Sequence, residues 1–306
     1  MENQRKIIGV GESILDILFR DGQPVAAVPG GSSFNSIISV GRASVPCTFV
    51  GYSGADIVGQ NTVKFLNANG VGTEHFQLRK GEKSAVSLAF IGENKDASYL
   101  FYKEPPHVSA DFTLPQMSRG DVMLFGSYYA ACNGMRPLIS EMLERAAKQS
   151  AIVYYDLNFR SNHSSELEEL RPVILQNFRQ STIVRGSADD FEVLFASRDA
   201  RVIYNMYISQ YCPFFICTAG AKAVFVCTPG GIYEFQAPPV VLIEWWAGNT
   251  TTKMPLPTIY TYDVEIDGRT LTIESMSRSR MYVHYKARKK YPNAKYIRVV
   301  KRTKTY

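Results

Sequence analysis

Short apolar runs alternate with amphipathic segments through the middle of this chain of 306 residues. Residues 121–125 and 151–155 are apolar, and residues 136–148 between them repeat apolar side chains at helical spacing. Alternating strands and helices predict a three-layer α/β fold, in which helices cover both faces of a central, mostly parallel sheet. The other segments of this alternation are residues 6–10, 48–51, 182–184, 214–217 and 223–227 as strands and residues 33–42, 167–178 and 189–196 as helices.

A second pattern predicts a small β lid. Residues 84–91 and 98–102 alternate apolar and polar side chains on either side of the polar residues 92–96. Two alternating runs joined by such a turn predict a β-hairpin. Because this hairpin interrupts the strand–helix alternation, we expect it to lie outside the central sheet.

The last quarter of the chain has a different pattern again. Apolar and polar residues alternate on both sides of Asp267-Gly268, which is a strong hairpin signal. The prediction for residues 258–306 is therefore a β-hairpin, a basic helix at 277–290 and a strand at 295–300. Residues 241–257, which include Pro255 and Pro257, are predicted to be a linker.

Positive charge is concentrated in this tail. Residues 241–306 contain 13 Lys and Arg against 5 Asp and Glu, so they carry +8 and the remaining 240 residues carry −2 of the total of +6. Basic residues interleaved with tyrosines suit binding to nucleic acid or another acidic partner. The simpler interpretation is a solvated basic helix and strand whose tyrosines pack on the protein body. The residues concerned are Lys286, Arg288, Lys289, Lys290, Lys295, Arg298, Lys301, Arg302 and Lys304 with Tyr282, Tyr285, Tyr291 and Tyr296.

Cysteine and histidine usage indicates neither disulfides nor a metal centre. The five cysteines are scattered and the four histidines lie far apart, with no spacing typical of metal ligands. We therefore expect reduced thiols in a cytoplasmic protein. The sequence has no apolar run of about 18 residues and no charged-then-apolar leader, so neither a membrane span nor a secretory signal is predicted.

A glycine-rich segment carries a family resemblance. Pro29-Gly30-Gly31-Ser32-Ser33-Phe34-Asn35, with Gly51, Gly54, Asp56 and Gly59 after it, resembles the first signature of PfkB (ribokinase-like) carbohydrate kinases. Adjacent glycines let a backbone approach a polar ligand, and the Asn35 amide both donates and accepts hydrogen bonds. The resemblance covers residues 1–240 and is strongest to fructokinase-like and ketodeoxygluconate-kinase-like members. It implies a ribokinase-like body whose lid comes from about residues 12–30 and 84–103.

The resemblance also implies the sugar-binding residues. Asp16, in Gly11-Glu12-Ser13-Ile14-Leu15-Asp16, would accept hydrogen bonds from paired sugar hydroxyls. Asn158 and Arg160 belong to a D-x-N-x-R segment at the end of a strand, where Arg160 would offer a planar cation to a phosphate or sugar acid. The further implied contacts are Gly30, Gly31, Asn35, Tyr102 and Lys103.

ATP and Mg²⁺ are the cofactors that the resemblance implies. Thr218-Ala219-Gly220 resembles the family's turn near the nucleotide, although Ala223 replaces its last glycine. Ser187 and Asp190 stand at the positions of the family's N-x-x-E motif, which supports the metal at the phosphates. Asp190 is one methylene shorter than glutamate, so it is the implied metal residue with weakened support.

The family's second signature is degenerate. Where D-T-x-G-A-G-D is expected, only Ala247 and Gly248 are retained; Trp246 replaces a glycine and Asn249 stands at the position of the catalytic Asp. An amide cannot take a proton from a hydroxyl, and an indole should block the backbone approach to an anion. Loss of the anion hole and the base together should be severe. A degenerate family member, a reading-frame change or fusion near residue 240, and a chimera all account for it.

Three functions remain as hypotheses. The first is an ATP-dependent sugar kinase that transfers the γ-phosphoryl group to a sugar hydroxyl, opposed by the degenerate second signature. The second is a catalytically inactive sugar- or nucleotide-binding scaffold. The third is binding of nucleic acid or an acidic partner through the tail. The implied partners are a small sugar substrate and, through the lid, a second copy of the chain.

Overall fold

The computed structural model describes residues 5–91, 97–109, 112–159, 165–220, 222–236, 259–275, 287, 291, 292, 294 and 296–305. The chain divides into two compact units, Met1–Trp245 and Trp246–Tyr306. The predicted linker at 241–257 and nearly all of the predicted basic helix at 277–290 lie outside the described residues.

The first unit is built on a nine-stranded sheet. Its strands, in chain order, are β1 (Ile7–Val10), β4 (Cys47–Gly54), β5 (Phe76–Arg79), β8 (Val122–Gly126), β9 (Ile152–Asp156), β10 (Ile183–Ser187), β11 (Phe214–Thr218), β12 (Ala223–Thr228) and β13 (Gly231–Gln236). Their order across the sheet is β13-β12-β11-β10-β9-β8-β1-β4-β5. Neighbours from β5 to β11 pair in parallel, and β12 and β13 pair antiparallel. The sheet is thus mostly parallel, as predicted; β12 reverses because a tight turn, closed by the Ala219 N–H on Ala223 O at 2.9 Å, follows β11.

A second sheet of four strands forms the lid. It consists of β2 (Ile14–Arg20), β3 (Gln23–Gly30), β6 (Val86–Ile91) and β7 (Ala97–Tyr102), in the order β3-β2-β6-β7. β6 and β7 form the predicted hairpin, and β2 and β3 form another that pairs with it through β2 and β6. Both chain segments implied for the lid therefore lie in one sheet.

Helices pack on both faces of the central sheet but cover them unequally. They are α1 (Ser32–Arg42), α2 (Ile57–Ala68), α3 (Ser127–Ala131), α4 (Arg136–Lys148), α5 (Leu167–Arg179), α6 (Ala188–Phe195) and α7 (Ala200–Ile203), the last continuing into a π-helical turn, Tyr204–Ile208. The helices from α3 to α7 enclose the larger core, to which Phe125, Tyr155 and Phe215 contribute fully buried rings. α1 and α2 pack on the opposite face against β1, β4 and β5, around Phe34 and Phe49. Helices therefore lie on both faces of the sheet, as predicted, and those described on the second face pack against β1, β4 and β5.

The second unit contains a three-stranded antiparallel sheet. β14 (Ile259–Ile266) and β15 (Arg269–Ser275) are joined by Asp267 and Gly268, whose φ angles of 47° and 81° are those of a primed hairpin turn. β16 (Ile297–Thr305) pairs with the other edge of β14. Alternate residues of β14 are buried in a small core of their own: Tyr262, Val264 and Ile266, with Ala287 and Ile297.

Candidate active site

The carboxyl ends of the parallel strands meet at one edge of the central sheet. β1, β8, β9, β10 and β11 all end there. In open α/β sheets, ligands bind in the crevice outside this edge. The residues that follow or end these strands include Glu12, Asp156, Ser187 and Thr218, and together with the lid they make up the candidate site.

Asp16 lies on the inner face of the lid, in contact with the glycine-rich segment. Its register partner in β6 is Ser87, whose hydroxyl donates a hydrogen bond to Asp16 Oδ1. A Cβ placed on Gly30 would lie only 2.4 Å from Asp16 Oδ2, so no other residue fits there without moving the carboxylate. The structure therefore brings Asp16 and Gly30 together and adds Ser87, which the sequence did not single out.

Gly31 forms the junction between the lid and the body. Its φ of 126° is a conformation that side chains rarely adopt, and a Cβ there would lie 2.2 Å from the Glu12 carbonyl oxygen. Gly31 is also the N-cap of α1, and Asn35 is exposed in the first turn of that helix. Asn35 therefore stands in the helix turn that begins at the Gly30-Gly31 junction.

Lys103 is held by a carboxylate of the body. Its Nζ contacts both Glu12 oxygens at 2.8 Å and lies 6.0 Å from the centre of the Tyr128 ring. The Tyr128 hydroxyl donates to Glu166 Oε2 at 3.0 Å, and burial, followed by this carboxylate, raises the pKa of Tyr128 to about 12. Lys103 therefore joins the lid to the end of β1, with its charge balanced by Glu12.

Tyr102 does not share the inner face of the lid with Asp16. β6 and β7 pair with Ser87 opposite Phe101 and Val86 opposite Tyr102, so the two aromatic residues point to opposite faces. Tyr102 is 62% exposed and lies on the outer face with Leu100, which is 54% exposed. The inner place opposite Ser87 is thus taken by Phe101, and the sugar contact implied for Tyr102 stays a prediction for a residue on the outer face.

Two further contacts tie the base of the lid to the body. Asp56, the N-cap of α2, accepts hydrogen bonds from Ser84 N at 2.9 Å and Ser84 Oγ at 2.6 Å. Burial tends to raise the pKa of Asp56, but these bonds and the Gly59 and Val58 N–H groups outweigh it and lower the pKa. On the other side of the lid, Ser13 Oγ donates to Tyr52 O at 3.3 Å. Asp56 and Gly59 of the glycine-rich signature therefore have structural roles here.

Arg185 links three strand ends in the other half of the site. Nη1 contacts both oxygens of Asp156 at 2.9 and 3.1 Å, and Nη2 donates to Thr218 Oγ1 at 3.1 Å. Burial raises the pKa of the Asp156 carboxyl, and Arg185 and the Asn158 N–H lower it only in part. Arg185 thereby positions the start of the D-x-N-x-R segment and the start of the turn that contains Gly220.

Replacing Arg185 by methionine should lower the free energy of unfolding by about 2 kcal/mol at neutral pH, since the variant leaves Asp156 buried without its counter-ion. The pKa of Asp156 is already raised in the folded state and should rise further. A raised carboxyl pKa means that stability falls as pH rises through it, so the deficit should shrink in mild acid. Urea unfolding at both pH values measures this. The double variant R185M/D156N should recover most of the loss, and a deficit independent of pH would contradict the argument.

Ser187 and Asp190 cap the helix that follows β10. Ser187 Oγ accepts the Asp190 N–H at 3.1 Å, and Asp190 Oδ2 accepts from Ser187 N and Ser187 Oγ, each at 2.7 Å. This is a capping box with aspartate in the usual position of glutamate. The cap uses Oδ2 of Asp190, which leaves Oδ1 as the oxygen available for the implied role at a metal.

The substitution Ser187→Ala should lower the free energy of unfolding by about 1 kcal/mol, because α6 loses its side-chain N-cap. Ser39→Ala, in the exposed middle of α1, is the matched control and should have almost no effect. Urea denaturation of both variants gives the comparison. Equal effects would mean that the cap contributes nothing measurable.

The remaining implied residues divide between the described and undescribed parts of the chain. Asn158, two residues after Asp156, has a φ of 33°, and Gly220 has a φ of 59° in the turn after β11, where a Cβ would meet nothing within 4 Å. Arg160, Gly248 and Asn249 lie outside the described residues.

Among the described residues, no three His, Cys, Asp or Glu side chains are grouped to hold a metal ion. Nor do the described helices include one long and apolar enough to cross a membrane.

A known protein family matches most of the chain. The model described as pfkB family carbohydrate kinase matches residues 10–244. Aminoimidazole riboside kinase of Salmonella typhimurium is 24% identical over 251 residues, which are 80% of this chain and 77% of that protein. Fructokinase-1 of Oryza sativa subsp. japonica is 25% identical over 199 residues, 61% of this chain, and the chain spans 62% of its length.

Solved structures share the fold. The aminoimidazole riboside kinase from Salmonella enterica, complexed with aminoimidazole riboside and an ATP analog, superposes with a TM-score of 0.68 at 25% identity, covering 78% of this chain and 79% of that one. A fructokinase from Vibrio cholerae, bound to fructose, ADP and potassium ion, gives 0.67 at 22% identity, covering 78% and 77%. These similarities confirm the predicted ribokinase-like α/β fold with its mostly parallel central sheet.

Proposed function

The chain belongs to the pfkB family of carbohydrate kinases, and from this premise we propose that it binds a small sugar and transfers the γ-phosphoryl group of ATP to a sugar hydroxyl. The observation that supports this most is the Asp16 carboxylate, which lies against Gly30 on the inner face of the lid. An ionised carboxylate accepts hydrogen bonds from two adjacent hydroxyls. The substrates named for the relatives, fructose and aminoimidazole riboside, both offer such hydroxyls.

ATP and Mg²⁺ would occupy the half of the site around Arg185 and Asp190. Mg²⁺ in phosphoryl-transfer enzymes is usually held by one or two carboxylates and by the substrate's phosphates, so Asp190 Oδ1 is a sufficient protein donor. Bound there, the ion would neutralise charge on the phosphate oxygens. Arg185 has N–H donors beyond those bonded to Asp156 and Thr218, and its guanidinium adds a positive charge at the same edge of the sheet.

The reaction we propose is slow. Asn249 cannot serve as the general base, and positioned bases contribute roughly 10²–10⁴-fold to the rate in enzymes. What remains is the positioning of the sugar by Asp16 and of the phosphates by Arg185 and the helix N-terminus at Ser187. An inactive binding scaffold is the second candidate, and the Trp246 and Asn249 substitutions favour it.

A coupled ADP-release assay tests the proposal. ATP and Mg²⁺ are combined with fructose, aminoimidazole riboside, ribose or ketodeoxygluconate, and Asp16→Asn is the control. Sugar-dependent turnover that disappears in the control supports the kinase. Thermal stabilisation by a sugar without turnover supports the scaffold. If there is neither turnover nor stabilisation, both candidate functions are contradicted.

The register of the tail sheet weakens the nucleic-acid hypothesis. Arg298 of β16 stands opposite Glu265 of β14, so an acidic position offsets one of the basic ones. Salt-sensitive binding of a random oligonucleotide would restore that hypothesis.

A further inference from the structure

Asp16 stands in a row of residues that crosses all four strands of the lid. Its register partners are Val28 of β3 and Ser87 of β6, and Phe101 of β7 stands opposite Ser87. Residues directly opposite each other in neighbouring strands point to the same face of a sheet. All four side chains therefore lie on the inner face, and Ser87 is the member of this row whose side chain carries a hydrogen-bond donor.

The hydroxyl of Ser87 is committed to the Asp16 carboxylate. Ser87 is fully buried, whereas Asp16 is partly exposed and Phe101 is 42% exposed. A serine hydroxyl has one proton to donate, and here it goes to Asp16 Oδ1. Buried polar groups are normally paired, and Ser87 meets this requirement through the side chain that we expect to bind the sugar.

The Asp16 carboxylate is held from two directions. Ser87 holds Oδ1, and Oδ2 lies so close to Gly30 that a Cβ on that glycine would come within 2.4 Å of it. A carboxylate offers about four lone-pair sites, so it can accept a bond from a serine and bonds from sugar hydroxyls at the same time. A side chain that is ordered before the ligand arrives loses less entropy when the ligand binds.

The same hydrogen bond connects the two hairpins of the lid. Asp16 belongs to the β2–β3 hairpin and Ser87 to the β6–β7 hairpin, and β2 and β6 are the adjacent strands through which the hairpins pair. We propose that Ser87 is a positioning residue of the sugar site, which orients the Asp16 carboxylate and, being buried, does not itself contact the sugar. This role rests on the proposed function, because it requires a sugar bound at Asp16.

Isothermal titration tests this role, with whichever of fructose, aminoimidazole riboside, ribose and ketodeoxygluconate the parent binds most tightly. Ser87→Ala removes the hydroxyl and should weaken sugar binding roughly tenfold, the order expected when one side chain must be ordered on binding. Ser87→Thr keeps the hydroxyl and should retain most of the affinity. Ser98→Ala, the same change at an exposed serine on the outer face of β7, is the matched control and should bind as the parent does.

Two further measurements separate positioning from packing. Circular dichroism and urea unfolding establish that each variant is folded at the temperature of the titration. If the added methyl group of Ser87→Thr disturbs the buried site, Ser87→Cys replaces it, because a thiol is of similar size and is a weak donor. Ser87→Cys should then give a loss of affinity between those of the parent and Ser87→Ala.

Two results would overturn the role of Ser87 alone. One is a folded Ser87→Ala variant that binds the sugar as tightly as the parent. The other is an equal loss in Ser87→Ala, Ser87→Cys and Ser87→Thr, which would assign the effect to packing and not to the hydroxyl. A parent that binds none of the four sugars would contradict the proposed function and, with it, the positioning role.

Discussion

Asp16→Asn should reduce sugar affinity roughly a hundredfold or more. Hydrogen bonds to a charged partner contribute about 1.5–3 kcal/mol each, and an amide retains only one acceptor oxygen to share among Ser87 and the sugar hydroxyls. The change keeps the size of the side chain beside Gly30, so packing of the lid is preserved. Isothermal titration with the best sugar from the activity panel gives the two affinities.

The matched control for this variant lies in the same sheet. Asp21→Asn makes the same change at the exposed β2–β3 turn, where φ is 51°, a conformation that asparagine tolerates. It should leave sugar affinity unchanged. Equal losses in the two variants, or an Asp16→Asn variant that binds as the parent does, would remove Asp16 from the sugar site.

Asn249→Asp should increase kcat by roughly a hundredfold or more, the lower end of what a positioned general base contributes. Its carboxylate would restore the group that the family resemblance expects at this position. The gain should appear in kcat and leave the sugar dissociation constant unchanged, because the base acts on the proton transfer and not on binding. Steady-state ADP release with titration of sugar separates the two parameters.

Asn249→Ala distinguishes a base from a change of packing. It removes the amide and adds no carboxylate, so it should not accelerate the reaction. If Asn249→Asp also gives no gain, the double variant W246G/N249D tests whether the indole closes the anion site. A double variant without activity would mean that the second signature cannot be restored by these positions and would favour the inactive scaffold.

The sequence predicted those parts of the fold whose pattern of apolar and polar residues lies within one short segment. The strand–helix alternation between residues 121 and 227 predicted the central sheet because each element has its own periodicity. Strands β2 and β3 were placed in the lid by resemblance alone, since Pro24, Pro29 and Gly30 interrupt any alternating pattern. The position of the described helices of the second face, over β1, β4 and β5, also escaped prediction, because it depends on which elements meet in space.

In the candidate site, too, residues with a local signal were predicted, and residues whose partners lie far away in the chain were not. Asp16 and Gly30 were predicted together, and their contact depends on the absence of a single Cβ. Ser87, Glu12 and Arg185 received no role, because each acquires its partner from a distant part of the chain. Asp190 was assigned to a metal by its motif, whereas its hydrogen bonds show one oxygen engaged in a helix cap. Tyr102 lies on the outer face of the lid, which the resemblance did not specify because a match at the level of segments does not say which face of a strand a residue occupies.

The ties at the base of the lid have a consequence for how a sugar reaches Asp16. Ser13, Gly31, Ser84 and Lys103 lie in the four connections between lid and body, and each is bonded or closely packed there. Because all four connections are held in this way, the lid cannot rotate as a rigid body about its base without breaking these contacts. The pairing of β2 with β3 shifts register between Leu18 and Phe19, close to the Asp21-Gly22 tip. We therefore expect a sugar to pass at this distal end, so substitutions at the tip should alter how quickly it arrives and departs and leave its equilibrium occupancy almost unchanged.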